Sequence, residues 1–427
     1  MVRVIEAANA GGVRALLDRA PSRDAAIVRR VARIVADVRE HGERALIAYA
    51  RRFDGLSGPL EIPPEEMNRA TRELPADVRR AIRAAARNIA HVAERQVPRE
   101  WKAVPVPGVT IVQRVTPLDR VGCYVPGGRY PLPSSLLMTA IPAIVADVGE
   151  VIVVCPKPDA TVMAAALEAG RATSGRGTRA ARGVRLFRVG GAHAIAALAY
   201  GTATIPRVDK IVGPGNAYVA AAKALISVDC AIDFYAGPSE ILIVSSAGRP
   251  AWIAADLIAQ AEHDEQARAI LVTPNRRLAA AVVREIGRQM PATGPARTAL
   301  ARNGAIVVTR TLDEAIALSE RMAPEHVVCD TAAVAARLRR AGTVFVGDWS
   351  AQASGDYVTG SNHVLPTSGA AAARGGLSAS DFVRVSTVQR LTRAGLHGIA
   401  RDGIALAEAE GLSGHAASIR IRLQGKR

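Results

Sequence analysis

The chain has 427 residues, 49% of them hydrophobic and 22% charged, enough for two or three domains with sizeable cores; this composition excludes a disordered chain. A net charge of +16 raises the question of a nucleic-acid partner. The arginines, however, stand singly along helical stretches such as "RRVARIVADVRE" and "RRAIRAAARNIA", without a basic block, so a solvated arginine-rich surface is expected and no nucleic-acid partner.

Residues 1–20 read as a short helical arm. Helices are predicted over about 23–53 and 64–96, the first with Ile27, Val31, Ile34, Val35 and Val38 on one face. Pro98, Pro105 and Pro107 mark a break. Short β-branched runs follow at 120–125, 150–155, 184–189, 209–212, 240–244, 269–273, 305–309, 326–329 and 343–346. Most alternate with Ala-rich helical patterns, one of them opened by a capping box of Thr311 and Glu314. Such alternation means βαβ units and mainly parallel sheets, and the strands are too many for one small sheet. The expected fold is therefore α/β, with two doubly wound, incompletely Rossmann-like parallel-sheet domains and helical arms at both ends. "AAAARGGLSAS" (370–380) reads as a linker, after which the chain ends in helices.

The most apolar run, "MTAIPAIVADVGEVIVVC" (138–155), is broken by Pro142, Asp147 and Glu150 and cannot span a bilayer. The first residues carry charges throughout and no apolar signal core. Four cysteines, at 123, 155, 230 and 329, form no CxxC pair and read as reduced thiols. A cytoplasmic protein without a membrane partner is expected.

Ligands of open α/β sheets bind beyond the carboxyl ends of strands. Glycine-rich turns stand there in "VPGG" (125–128), "VGGAH" (189–193) and "VGPGNAY" (212–218); the last is a partial dinucleotide fingerprint with Tyr218 in place of the final glycine. Together they point to a phosphate-bearing ligand. "DLIAQAEHDEQA" (256–267) is predicted helical, which would put Gln260 and His263 on one face where they can converge on an ion. The same spacing fits an amphipathic helix with an incidental histidine. "APEHVVCD" (323–330) sets Glu325 beside His326, an acid and an imidazole able to serve two proton transfers. "SGDYVTGSNHVLPT" (354–367) carries Asp356 and His363 and reads as a surface loop unless other donors join it, and "EAEGLSGHAASIRIR" (408–422) holds Glu410 and His415 across a glycine turn. As a set, Gln260, His263, Asp356 and His415 offer nitrogen and oxygen donors that suit Zn²⁺ and exclude a cysteine site.

These motifs, with "GCYVPGG", "PSSLLM", "VGGAHAIAALAYGT", "VDKIVGPGNAY", "AGPSEILIV", "VFVGDWS" and "STVQ", run in order over nearly the whole chain, which resembles histidinol dehydrogenases. That family makes histidine from histidinol, the final step of the pathway, by two successive NAD-dependent oxidations. The resemblance implies zinc, one per subunit, on Gln260, His263, Asp356 and His415, and the proton-transfer pair Glu325 and His326. It implies substrate contacts at Ser239, His363 and Glu410 as well as at the four ligands and His326. It implies an NAD site lined by Tyr124, His193 and Asn216. Glu410 and His415 would reach the partner subunit of a homodimer with shared active sites. One departure is His193, where the family usually has Gln; an imidazole can still donate to a cofactor but can also become charged, which leaves the geometry of NAD contact open.

The expected domains are an arm at 1–20, a zinc and catalytic domain of 21–123 with 240–377, an NAD-side domain at 124–239, and an arm at 378–427. Rival readings are a relative oxidising another alcohol, such as a sulfonated diol, and a basic nucleic-acid-binding protein. Glu410 and His415 favour histidinol, because in the family they face its imidazole end.

Overall fold

The computed structural model describes residues 2–18, 24–127, 130–171, 183–235 and 237–424. Gly128 of the first glycine turn and Ala236 of "AGPSE" lie outside them. The strands in chain order are β1 (Arg3–Glu6), β2 (Glu61–Ile62), β3 (Trp101–Val106), β4 (Val109–Pro117), β5 (Arg120–Tyr124), β6 (Glu150–Val154), β7 (Val184–Phe187), β8 (Lys210–Val212), β9 (Ala231–Ile232), β10 (Glu240–Val244), β11 (Arg268–Thr273), β12 (Ala305–Val308), β13 (His326–Cys329), β14 (Thr343–Val346) and β15 (Val383–Leu391).

A first sheet runs β1-β12-β11-β10-β13-β14, parallel throughout. A second runs β2-β7-β6-β5-β8-β9, parallel except for its edge strand β2. Both follow one winding rule. After giving each sheet one early edge strand, β1 or β2, the chain enters mid-sheet at β10 or β5, winds outward for two strands, then returns to the other side of that strand. Each sheet therefore has a switch point, between β10 and β13 and between β5 and β8, where an open α/β sheet leaves a crevice. Strand β10, "EILIV", is buried at every position, as parallel strands covered on both faces must be.

The helix Ala25–Tyr49 packs Val31, Ile34, Val35 and Val38 into one core with Ile195, Leu198, Val219 and the second sheet. Each such aliphatic side chain contributes about 1.5–3 kcal/mol through burial. The expected domain limits placed the helices between residues 25 and 96 with the zinc and catalytic domain. The helix Ala25–Tyr49 packs against the helices that follow β7 and β8, and the helices Pro64–Glu73 and Ala76–Gln96 pack against those that follow β5 and β6, so all three serve the second sheet. The helical arm expected at 1–20 is in part strand β1, paired parallel with β12, followed by the helix Ala10–Leu17. The stretch expected as a linker is anchored, with Ala371, Leu377 and Ala379 buried.

The chain divides into two compact units, Met1–Gln96 with Asp119–Phe382, which holds both parallel sheets, and Val97–Leu118 with Val383–Arg427. The second unit by itself is an antiparallel sheet, β15-β4-β3, with the helices Arg393–Ala409 and Ser413–Gln424. The C-terminal segment was expected to be wholly helical. Strand β15, "VRVSTVQRL", escapes that expectation because it is exposed along nearly its whole length, so no alternation against a core marks it. Trp101, Val104, Val385, Leu406 and Ile421 of this unit are also exposed. Among the described residues no helix is long and apolar enough to cross a membrane.

Candidate active site

The adjacent acid and imidazole stand at the switch point of the first sheet, but at its amino edge. His326 opens β13 opposite Ile241 of β10, and Glu325 precedes it. Glu325 Oε2 accepts from the Ser239 hydroxyl (2.8 Å) and the Glu240 amide (2.7 Å). Burial pushes its carboxyl well above the ordinary range; those two hydrogen bonds oppose the shift, and the charges of Glu240 and Asp356 add to it. Ser239, expected at the substrate, thus spends its hydroxyl proton on Glu325.

His326 is 3% exposed. Its Nδ1 lies 3.2 Å from the Glu240 carbonyl oxygen and 3.6 Å from Glu325 Oε2. A carbonyl only accepts, so Nδ1 carries the proton and the Nε2 lone pair is left to act as a base. Burial holds the ring neutral, pushing its pKa down to about 4, while Asp356 pulls the other way. Phe345 walls the ring, with centroids 6.2 Å apart. Gly355 is required beside it, because a Cβ there would stand 2.6 Å from the Phe345 ring.

The helix carrying Gln260 runs from Pro250 to Ala261, shorter than expected, so His263 lies just past its end. The spacing survives, since the His263 amide still bonds the Gln260 carbonyl (3.3 Å). The Gln260 side chain is completely buried, and neither its Oε1 nor its Nε2 has a hydrogen-bond partner among the described residues. His263 Nε2 stands 3.8 Å from Asp356 Oδ2, which also accepts from Gln352 Nε2 (3.0 Å). His363 donates from Nδ1 to the Asp356 carbonyl (2.9 Å), and its Nε2 faces the Ser135 hydroxyl at 3.3 Å. Burial lowers the His363 pKa.

The loop holding Asp356 and His363 is fastened to helices of the other half. Asn88 of the helix Ala76–Gln96 donates to the Val358 carbonyl (2.6 Å), and Asn362 donates to the Met138 carbonyl of the helix Pro133–Val145 (2.6 Å). The sequence reading missed Ser135, Gln352 and Glu240. Gln352 had a usable signal, four residues before Asp356 and so one helical turn away.

Glu410 caps the helix Arg393–Ala409 and His415 lies in the first turn of the next. Both belong to the second unit and both are exposed in the single chain. Among the described residues no three His, Cys, Asp or Glu side chains gather closely enough to hold a metal. One chain brings His263 and Asp356 within 3.8 Å of each other, and the buried, orphaned side-chain amide of Gln260 lies three residues before His263; an imidazole, a carboxylate and an unpartnered amide are the donor types that fit a nitrogen- and oxygen-liganded cation.

At the carboxyl edge of the second sheet, Tyr124 is 3% exposed and its hydroxyl accepts from the Gly191 amide (3.1 Å). A Cβ on Gly213 (φ 110°) would stand 2.2 Å from the Tyr124 carbonyl oxygen, so only glycine lets the two turns meet. Asn216 caps the helix Ala217–Ile226. His193, expected to face a cofactor, is 2% exposed and bonds Asp54 at 2.8 Å.

A neutral imidazole with a free lone pair, a buried acid at its side and nitrogen and oxygen donors next to them, mounted on twin wound sheets, make an α/β protein with a site suited to proton transfer. A family model described as histidinol dehydrogenase matches residues 17–423. The histidinol dehydrogenase of Geobacter sulfurreducens is 44% identical over 403 residues, 92% of each chain. That of Bordetella parapertussis is 45% identical over 415 residues, 94% of this chain and 92% of the relative. The crystal structure of histidinol dehydrogenase from Elizabethkingia anophelis matches with a TM-score of 0.91 at 29% identity, covering 99% of this chain and 98% of that one. The chain belongs to the histidinol dehydrogenase family. Neither rival reading draws support from these comparisons.

Proposed function

We propose that this protein oxidises L-histidinol to L-histidine through histidinal, using two NAD, one zinc per subunit and active sites shared across a cytoplasmic homodimer. The observation that carries the reading is the neutral His326, its Nδ1 proton spent on the Glu240 carbonyl and its Nε2 lone pair free. When bound, zinc would grip the substrate's nitrogens and NAD would take the hydride. Gln260, His263 and Asp356 would hold the metal, with His415 of a partner subunit as the fourth donor.

In the first oxidation His326 Nε2 takes the alcohol proton as hydride leaves. In the second, Glu325 draws a proton from water so that the aldehyde becomes its hydrate, and His326 serves the second hydride loss. A carboxyl with raised proton affinity suits that task, since an ordinary carboxylate is too weak a base for water. His363, Ser239 and a partner's Glu410 would orient the substrate. Tyr124 and Asn216 would line the NAD site.

The shared site is supported by the exposure of Glu410 and His415 and by the apolar side chains that the second unit leaves uncovered. A segment of that size lacks the core to stand alone and would dock on a second subunit. The deciding experiment offers L-histidinol to the purified protein and counts NADH. Two equivalents per substrate are expected, and one or none would overturn the reading. Subunit exchange between His326→Ala and His415→Ala chains should restore activity; exchange without recovery would place His415 in its own chain's site.

A further inference from the structure

We propose that His193 is a positioning residue that acts through Asp54 to hold the turn Gly190–Gly191 of the dinucleotide site, without touching the cofactor itself; this rests on the reading that the second sheet binds NAD. The helix Ala25–Tyr49 runs on into a wide turn, Ala50–Asp54, which delivers Asp54 to the carboxyl edge of the second sheet. There one oxygen, Asp54 Oδ2, accepts from His193 Nε2 at 2.8 Å and from the Gly190 amide at 3.0 Å. A carboxylate only accepts, so Nε2 is the donor and is fully committed. Side-chain exposure is 2% for His193 and 9% for Asp54. Tyr49 and Phe53 stand against the ring, with centroids at 5.9 and 6.1 Å. The imidazole is thus enclosed on the inner side of the turn.

What it holds is tightly specified. A Cβ on Gly190 would stand 2.7 Å from Pro156, and the next amide, of Gly191, is taken by Tyr124. The neighbouring turn repeats the device. The Gly213 amide donates to Asp233 Oδ2 (2.8 Å), and the buried Lys223 bonds both Asp233 and the Gly213 carbonyl. In both turns a buried carboxylate takes a glycine amide and is itself held by a donor from the helix that follows. Backbone amides at a helix start can present themselves to a phosphate only if their turn is fixed. His193 and Lys223 keep the two anchoring carboxylates in place.

The test is a cycle of His193→Leu, Asp54→Asn and the double variant, with His193→Gln as the conservative replacement. NADH binding is read by fluorescence, steady-state kinetics are run against NAD and histidinol, and thermal unfolding is followed without cofactor or metal. Each single variant should weaken NADH binding and raise KM for NAD about tenfold, the worth of one buried hydrogen bond to a charged group, with kcat at saturating NAD changing less. The double variant should be no worse than either single, and His193→Gln, which keeps a donor, should restore much of the loss. Additive losses near a hundredfold would mean that His193 meets the cofactor directly. Unchanged NADH affinity with a lowered Tm would reduce the pair to a structural brace. Either result overturns the proposal. If the wild-type protein binds no NADH, the functional reading has failed instead, and the cofactor-free unfolding cycle still reports whether the two side chains are coupled.

Discussion

The two parallel sheets share a clasp and use it differently. In each, a carboxylate just before the strand that returns across the switch point accepts the amide of the residue that opens the starting strand. In the second sheet Asp209, before β8, takes the amides of Asp119 and Arg120, both at 2.9 Å. In the first sheet Glu325, before β13, takes the amide of Glu240 and the Ser239 hydroxyl. Asp209 is exposed, whereas Glu325 is 4% exposed and its carboxyl is pushed well above the ordinary range. The same hydrogen-bonding element is a staple in water at Asp209 and, when buried at Glu325, becomes the group proposed for proton transfer. The opposite edges are reversed in turn. At the carboxyl edge of the first sheet Asp330 Oδ2 takes the amides of Ser246 (2.7 Å) and Ala247 (3.2 Å), so the place where a phosphate would sit is filled by the chain's own anion. At the carboxyl edge of the second sheet Asp54 and Asp233 each take one glycine amide and are themselves held by a donor of the following helix, His193 or Lys223.

The contrast can be broken in four ways. The largest effect should come from the donor cluster that only the first sheet has. His263→Ala should lose zinc by elemental analysis and activity with it; retention of both would remove the metal from this edge. Next, His326→Ala should lower kcat by about 10²–10⁴-fold, the usual worth of a general base, while Asp209→Asn at the matching edge of the second sheet changes it less than about twofold. Equal losses would erase the distinction between the clasps.

A third effect follows from burial. His326 is held down to about 4, below the ordinary 6.5 of a histidine, so between those pH values the unfolded chain takes up a proton that the folded protein refuses. Stability should therefore fall as pH drops from about 6.5 to about 4, by roughly 3 kcal/mol over the whole window. His326→Gln should flatten that part of a urea-unfolding profile of metal-free protein, and an unchanged slope would assign it to other groups. The smallest effect belongs to the filled edge. Asp330→Asn should cost about 1 kcal/mol of stability through weakened hydrogen bonds and leave KM for NAD unaltered. A raised KM for NAD would put the cofactor on the first sheet.

The parallel strands from β5 to β14 were legible because most of them are largely buried and appear as short β-branched runs between Ala-rich helices; only the two-residue β9 was passed over. Strands β3, β4 and β15 were not, since their side chains mostly meet no core within this chain and carry no periodic signal. Nor does any local pattern say that the chain gives one strand to the first sheet, leaves to build the second, and returns at β10. For the site, motif and spacing found Gln260, His263, Glu325, His326, Asp356 and His363. They could not find Ser135 or Asp54, whose part lies in a partner more than a hundred residues away. The enclosed orientation of His193 was hidden for the same reason.

The fastening of the Asp356 loop to Asn88 and Met138 would, under the proposed metal site, tie together two events that are separable in most metalloenzymes. The carboxylate that would be offered to the ion sits on a strap whose other attachments lie on the helices around the second sheet. Any loosening of those helices would pull the strap and the carboxylate with it. The residence time of a bound ion and the persistence of that helix packing would then become one clock, so that slow metal release would read out the loosening of a region that touches no metal.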